Sequence, residues 1–578
     1  MIKSFFILSS IFFFSLSQLK ASEKQNILMI VLDDLNVTAI KAMGSHPQAN
    51  TPNLDRLIQE GTLFSNAHSN APVCSPSRAS FMTGVAPWTS GEWGFKNWLQ
   101  NPILKNNLTM GEYAMKNGYL ALQTGKVLHN RRDNMWSETG IHSEYGPNAY
   151  NGKKAVPHPD APEGMLELGS LDATFTSLSN IPNVKAGKDT PGYKGWYNTK
   201  NGPSKGPFHY NNDDDRDLLT DEKSALWLKE KLNALENDKS DQPFFIGFGI
   251  IRPHTPLVVP QKYFDMFPID SIKFPPIKEN DREDVKTNRK FGLSRGQKTF
   301  HGLATKYDSA MEGLKYYTQA YLACVKFADD IVGQALEALE NSPYRDNTTV
   351  VLFSDHGFGM GQKEELWKYT NWDEATHVPL IIRDPRFPKS HGKRIEHPVS
   401  LIDVFPTISD LAEWKGDHKR NKAGAPLAGK SLKPFLEDPN TDSHGLDAAV
   451  TITASWISQA PRKQNLSAVS KNYRYIRYGN GDEELYNIKK DPYEWNNIAA
   501  NPEMSSVIKE HQTMIESQVS EKLHQATVPQ NNQQNQSSKT SAEDWKTKYF
   551  GKHPDADANK DGELSWPEFH AHKKNSQK

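Results

Sequence analysis

An α/β sandwich, with a large mixed but mostly parallel sheet between layers of helices, is the fold this sequence predicts. Three observations point to it. Short uninterrupted apolar runs recur as far as Phe353, as in strands buried on both faces. Segments with apolar residues at helical spacing separate these runs, and such alternation builds a parallel sheet. The runs also end abruptly in polar, chemically capable residues, as strands do when their carboxyl ends frame a site.

The first run, Ile27 to Leu32, ends in Asp33-Asp34. A helical pattern, Pro52 to Glu60, opens with proline, which suits a first helical turn. In Cys74-Ser75-Pro76-Ser77-Arg78, Pro76 pre-sets another first turn, Ala79 to Met82 continue it and Thr83-Gly84 stop it. Cys74 then stands where helix amides and Arg78 favour an anion, so a thiolate is expected there. The helical segment Met110 to Asn117 leads to Tyr119 to Leu122, then Thr124-Gly125-Lys126. Thr220 to Glu236 precedes Phe244 to Phe248 and Arg252-Pro253-His254. Leu314 to Glu340 precedes Thr349 to Phe353 and Ser354-Asp355-His356-Gly357.

Two stretches break this alternation: Arg131 to Asn212, rich in Gly, Pro and Asn, and Lys278 to Gly302, rich in charge. Insertions of this length are expected to shape the substrate entrance. Trp88, Trp93 and Trp98 follow Cys74 and fit either a sugar-stacking platform or the core. Beyond residue 440 the segments Ala448 to Thr453 and Tyr473 to Tyr478 are β-rich. They predict a smaller C-terminal α+β subdomain with an antiparallel sheet over 441–525, after a larger domain over 22–440.

A Gln/Asn/Ser-rich segment around 526–541 reads as a linker. The module after it, 542–578, carries EF-hand spacing for Ca²⁺. Asp557, Asn559, Asp561, Ser565 and Glu568 fall at loop positions 1, 3, 5, 9 and 12, Glu563 stands at position 7, and Gly562 and Leu564 at 6 and 8.

With 68 basic and 69 acidic residues, no global field favours nucleic acid. Lys3, the apolar stretch Phe5 to Leu16 and Leu19-Lys20-Ala21 read as an export signal over 1–21, and no later run has membrane-spanning length. A periplasmic or secreted protein is expected. A disulfide between the two cysteines would consume Cys74, and Cys324 lies in an apolar helical pattern, so both are expected free; an exported chain without disulfides looks bacterial.

The pattern Cys-x-Pro-x-Arg followed by Ala-Ser-Phe-Met-Thr-Gly resembles the signature of type I sulfatases of the alkaline phosphatase superfamily. The similarity covers roughly residues 25 to 500. Gly125-Lys126-Val127-Leu128-His129 resembles the family's Gly-Lys-x-x-His element, and Arg252-Pro253-His254-Thr255-Pro256 its Pro-His element. Ser354 to Gly357, Glu365 to Tyr369 and Ala375 to Leu380 resemble the iduronate-2-sulfatase-like branch in particular.

That resemblance implies an alkaline-phosphatase-like fold and hydrolysis of sulfate esters on a sulfated saccharide, with one containing a uronic acid as the candidate the branch suggests. It implies that a formylglycine-generating maturase oxidises Cys74 to an aldehyde whose hydrate is the nucleophile. Arg78 and Lys126 would fix that group and His129 would take a proton from its second hydroxyl. Lys368 and His254 would hold the sulfate and protonate the leaving oxygen. Asp33, Asp34 and Asp355 would repel one another unless a hard cation sat between them, and an exported location favours Ca²⁺. Residue 74 and His356 would complete that metal set, whereas His377 is read as structural. The alternatives are a phosphonate monoester or phosphodiester hydrolase of the same superfamily, and, from another class, a calcium-dependent glycan-binding protein with unmodified Cys74.

Overall fold

The computed structural model of the protein describes residues 24–524 except 45, 133, 200–204, 239–240 and 286–292, together with 553 and 555. The export signal, the linker and the EF-hand loop expected from the sequence lie outside the described residues. The chain divides into two units after Ala526, and the described strands and helices belong to the first.

Eight strands make the central sheet: β1 (Asn26–Asp33), β2 (Thr62–Phe64), β3 (Leu120–Gly125), β4 (Glu138–His142), β5 (Phe244–Pro253), β6 (Thr348–Ser354), β7 (Leu380–Arg383) and β8 (Arg394–Ile395). Their order is β8-β2-β7-β6-β1-β5-β3-β4. Only β7 runs against its neighbours; the other pairings are parallel, so the sheet is mixed and mostly parallel.

Period-2 alternation decides which side chains face which helical layer. In β1, Leu28, Ile30 and Leu32 join the core on one face, whereas Ile27, Met29 and Val31 join the core on the other. Burying each of these chains contributes roughly 1.5–3 kcal/mol, which is why an all-apolar run suits a central strand and no edge. The first face is covered by α1 (Pro52–Glu60), α4 (Thr220–Asp238) and α5 (Ala310–Glu340). The second is covered by α2 (Cys74–Thr83), α3 (Met110–Lys116) and α6 (Val404–Leu411). Helix α2 ends as its sequence predicts, with Gly84 in the left-handed region at φ 68°.

The interruption at Arg131 to Asn212 is only partly an insertion, because it contains β4, an edge strand of the main sheet. Its remainder includes a small four-stranded sheet. The three tryptophans after Cys74 are core rather than platforms: Trp88, Trp93 and Trp98 are all buried. Cys324 is free and buried within α5. Near the carboxyl end, β9 (Ala449–Thr453), β10 (Asn465–Val469), β11 (Tyr473–Arg477) and β12 (Glu483–Asn487) form an antiparallel meander in sequence order. A last helix, α7 (Ser505–Gln518), places His511 and Ile515 inward beside it. Among the described residues, no helix is long and apolar enough to cross a membrane.

Candidate active site

Register brings the polar strand ends together. On β1, Leu32 pairs with Ser354 of β6 and Asp33 with Pro253 of β5, while Gly249 of β5 pairs with Gly125 of β3. Asp355-His356, Asp33-Asp34, His254 and Lys126 therefore follow four adjacent strands at their carboxyl ends, the usual ligand position in such sheets. The approach at Lys126 requires glycine: a Cβ on Gly125 would sit 1.8 Å from the Gly249 oxygen, and one on Gly249 would meet the Lys126 backbone at 2.2 Å. Asp34 turns the chain through the left-handed region, at φ 67°, a conformation aspartate tolerates better than most residues. Tyr321 of α5 holds this turn by donating to the Asp34 carbonyl at 2.7 Å and accepting from the Asn36 amide at 2.8 Å.

Cys74, the first residue of α2, points into this cluster and is 1 % exposed. Its Sγ lies 3.4 Å from Asp33 Oδ1, 3.4 Å from His356 Nε2 and 3.3 Å from Lys368 Nζ. Lys368 also grips both oxygens of Asp34, at 2.7 and 2.9 Å. Lys126 bonds the second oxygen of Asp33. Arg78 donates from Nε to Asp355 at 2.8 Å, stands 3.6 Å from Asp33, and donates to the carbonyls of Lys126 and Val127. Three carboxylates and three cations thus share one buried pocket.

The thiolate expected at the helix N-terminus is not what this pocket favours. Burial pushes the Cys74 thiol up to about 12, and the nearby Lys368 and Arg78 do not offset it. The helix-end field is a fraction of a charge, whereas losing all hydration shifts a pKa by several units. Burial also raises Asp34, while at Asp355 the opposing pull of Arg78, His356 and the lysines wins and its carboxyl is lowered. Lys368 is raised despite burial, because Asp34 favours its charged form. His254 is held neutral by burial and then by Lys368 and Lys126; burial lowers His356 to about 3 against the opposing pull of Asp355.

Neutral His356 directs Nδ1 at the Gly357 carbonyl, 2.8 Å away, which leaves the Nε2 lone pair facing Cys74, Asp33 and Asp355. The sets Asp33, Asp34, Cys74, His254 and Asp33, Cys74, Asp355, His356 each offer ligand atoms within 4.8 Å of one another. Three carboxylates with one or two neutral nitrogens fit a divalent cation. The geometry admits His254 to that group as readily as His356.

His129 is less enclosed. Its ring sits at the rim beside Phe95, 5.7 Å between centroids. Lost hydration followed by the charges of Lys126, Arg78 and Lys368 lowers its pKa. His377 lies between Asp373 at 3.1 Å and the Ser65 carbonyl at 3.0 Å.

Tyr145 belongs to the site although its sequence context gave no sign of it. Its ring lies 4.6 Å from Lys126 Nζ and 4.9 Å from the His254 ring, a cation–π contact that holds the ammonium in place. It comes from an irregular segment with no periodicity, so only the folded chain could reveal it.

Beside the cluster, a cavity of about 470 Å³ has Lys368 in its wall, and the Lys278 to Gly302 stretch does line it, through Arg282 and residues from Leu293 onward. Glu365, in the same wall, accepts from Ser294 at 2.7 Å and pairs with Arg282 at 3.1 Å. Burial raises it to about 7 all the same. The folded chain holds this proton up to about pH 7, whereas the unfolded chain releases it near the ordinary glutamate value of 4.5. Folding then takes up a proton in that window, so stability is greatest below it and falls as pH rises through it. Thermal melts from pH 4.5 to 7 should show this fall, and Glu365→Gln should flatten it; an unchanged slope in the variant would remove the assignment.

A sulfatase family profile matches residues 25–414, and a profile for the C-terminal region of N-sulphoglucosamine sulphohydrolase matches 364–521. A sulfatase of Formosa agariphila is 35% identical over 496 residues, covering 85% of this chain and 86% of its own. Mouse iduronate 2-sulfatase is 26% identical, covering 68% and 69% of the two chains. A Δ4,5-hexuronate-2-O-sulfatase of Bacteroides thetaiotaomicron is also 26% identical, covering 86% and 89%. Among solved structures, the phosphonate monoester hydrolase of Agrobacterium radiobacter superposes with a TM-score of 0.58 at 21% identity, over 86% of this chain and 95% of that one, a likeness of fold. The strand-end cluster around Cys74 and the match across most of the chain lead to one conclusion: this protein belongs to the sulfatase family of the alkaline phosphatase superfamily and is a sulfuric ester hydrolase.

Proposed function

We propose that this sulfatase is exported and acts on a sulfated glycan, with residue 74 matured to formylglycine by a dedicated maturase and Ca²⁺ bound by Asp33, Asp34, Asp355, His356 and residue 74. The supporting observation is the crowding of Cys74 Sγ by a carboxylate, an imidazole and an ammonium. A thiol is a weak donor and a weak acceptor, so these partners are better matched to a hydrated aldehyde. Export is supported by the leader-like first 21 residues. A uronic-acid ester is supported by the names of the iduronate and hexuronate sulfatases.

Formylglycine would supply two hydroxyls on one carbon, and the cation a concentrated positive charge beside the sulfonyl oxygens. The chain's own groups do the rest. Lys368 keeps its proton and reaches both Asp34 and residue 74, so its ammonium can hold a sulfonyl oxygen and supply a proton to the leaving alcohol. His254 donates from Nδ1 to the Thr255 carbonyl at 2.5 Å, which leaves Nε2 as an acceptor. It becomes an acid only after taking a second proton, which an arriving anion favours. Arg78, held by Asp355 and two carbonyls, keeps the start of α2 aimed at the strand ends. His129, at the rim, is proposed to accept a proton from the second hydroxyl, a step that the lost hydration and neighbouring cations lowering its pKa work against. The EF-hand at 557–568 is proposed as a second Ca²⁺ site, independent of the first.

Calcium-loaded protein should hydrolyse 4-nitrocatechol sulfate with kcat/KM at least about tenfold above its value for a phenylphosphonate monoester or bis(4-nitrophenyl) phosphate, a margin of ~1.4 kcal/mol. The reverse preference would assign the chain to phosphonate or phosphodiester hydrolysis. Saccharide binding without turnover of any ester, with a thiol at residue 74, would assign it to glycan binding.

A further inference from the structure

Four large apolar side chains that the fold leaves on the surface gather around one cavity. Phe95 is 58% exposed, Leu293 50%, Trp456 73% and Ile457 52%, and all line the 470 Å³ cavity that shares Lys368 with the strand-end cluster. Scattered singly, such residues need no explanation; as the rim of one cavity beside a reacting centre, they describe a binding surface.

Trp456 is fixed there. Its backbone lies at φ 59°, a region a bulky residue enters only when its surroundings compel it. Those surroundings centre on buried Gln464. Its Oε1 accepts from the Ser455 amide at 3.0 Å, and its Nε2 donates to the carbonyls of Ser458 at 2.6 Å and Ala460 at 3.0 Å. Tyr369, next to Lys368 in sequence, joins this loop to the opposite rim: its hydroxyl donates to the Trp93 carbonyl and accepts from the Ala454 amide at 3.1 Å. An exposed indole on a loop braced in this way is a rigid platform.

The same wall holds an unused amide. Asn371 is 4% exposed and lines the cavity, yet neither Oδ1 nor Nδ2 has a hydrogen-bond partner among the described residues. A buried amide with both ends unmatched is costly unless a ligand completes it. An indole face, an unmatched donor–acceptor pair and a cation at the sulfur end together match a pyranose ring, with its C–H face, its hydroxyl edge and its sulfate.

Resting on the sulfatase reading above, we propose that this cavity is the sugar subsite of the enzyme, with Trp456 stacking on the ring that carries the sulfate and Asn371 reading one of its hydroxyls. Neither residue takes part in the chemistry; both select the substrate.

The full-length protein should be assayed by sulfate release on defined sulfated disaccharides from heparin, chondroitin sulfate and ulvan, with 4-nitrocatechol sulfate alongside. Trp456→Ala should raise KM for the disaccharide cleaved best by about tenfold or more, with kcat little changed and a smaller loss on the aryl ester. Trp456→Tyr should recover most of the loss. Asn371→Leu should lower disaccharide kcat/KM while leaving Tm unchanged or raised, because no described protein partner is lost; a lowered Tm would show a structural role for Asn371. Equal losses on both substrate types, or no loss on the disaccharide, overturn the subsite. So does wild-type protein that cleaves the aryl ester and none of the disaccharides. Failure on the aryl ester and the disaccharides alike would instead count against the sulfatase chemistry.

Discussion

Cys74→Ser, produced in a host whose maturase oxidises only cysteine, is expected to bind metal and fold normally yet lose sulfate release by a factor on the order of 10³ or more. The reason lies in the pocket. With its thiol pushed up to about 12, an unmodified Cys74 is almost wholly protonated at neutral pH and a poor nucleophile. If a thiolate did attack, it would leave a thiosulfate ester with no internal route to release sulfate. A serine hydroxyl has the same defect, one oxygen where two are needed. Peptide mass spectrometry of active wild-type protein should show the SH and one hydrogen of residue 74 replaced by a carbonyl oxygen, and activity should scale with that fraction. A fully active preparation with an intact thiol would falsify this mechanism.

Asp33→Asn and Asp355→Asn should both be inactive even with Ca²⁺ in excess, and chelation of the wild type should abolish turnover. In the proposed metal site each substitution would remove a ligand oxygen's charge, and each also weakens a buried ion pair: Lys126 loses its bond to Asp33, and Arg78 loses the carboxylate 2.8 Å from its Nε. Breaking a buried pair costs ~3–5 kcal/mol, so circular dichroism must accompany the assay to separate misfolding from lost chemistry. Equilibrium dialysis should count two Ca²⁺ per chain. Glu568→Gln should remove one of them with aryl sulfatase activity nearly intact, since position 12 normally supplies the bidentate ligand. Full turnover in metal-free protein would sink the catalytic assignment, and an unchanged count in Glu568→Gln would sink the second site.

The central strands and most of the cluster were readable because one physical pattern encodes both. A strand buried on two faces is mostly apolar, so the charged residues that close it mark its carboxyl end, as at Asp33, Lys126 and Asp355. The edge strand β4, Glu138–His142, was hidden by its mixed composition; none of its residues is fully buried, so it had no need of an apolar run. Tyr145 and Trp456 lie in irregular loops, where no period connects a residue to its surroundings. The tryptophans after Cys74 could not be apportioned between core and platform, because burial is a property of the fold. The expected thiolate failed for a related reason: the helix end was visible in the sequence, but the depth at which α2 buries it was not.

The pairing of three carboxylates with three cations in the Cys74 pocket bears on how turnover ends. With Asp34 ionised by its pairing with Lys368 and both histidines neutral, those six groups would sum to no net charge. The proposed divalent cation would leave an excess of two positive charges in this buried cluster, and a sulfate monoester would offset one of them. Free sulfate, a dianion, would offset both. The best-compensated state of such a centre would be the one holding its product, and departure of sulfate would have to work against that balance. Inorganic sulfate should accordingly inhibit competitively, slow the loss of metal to a chelator, and make product escape rather than bond cleavage the slow step at saturating substrate.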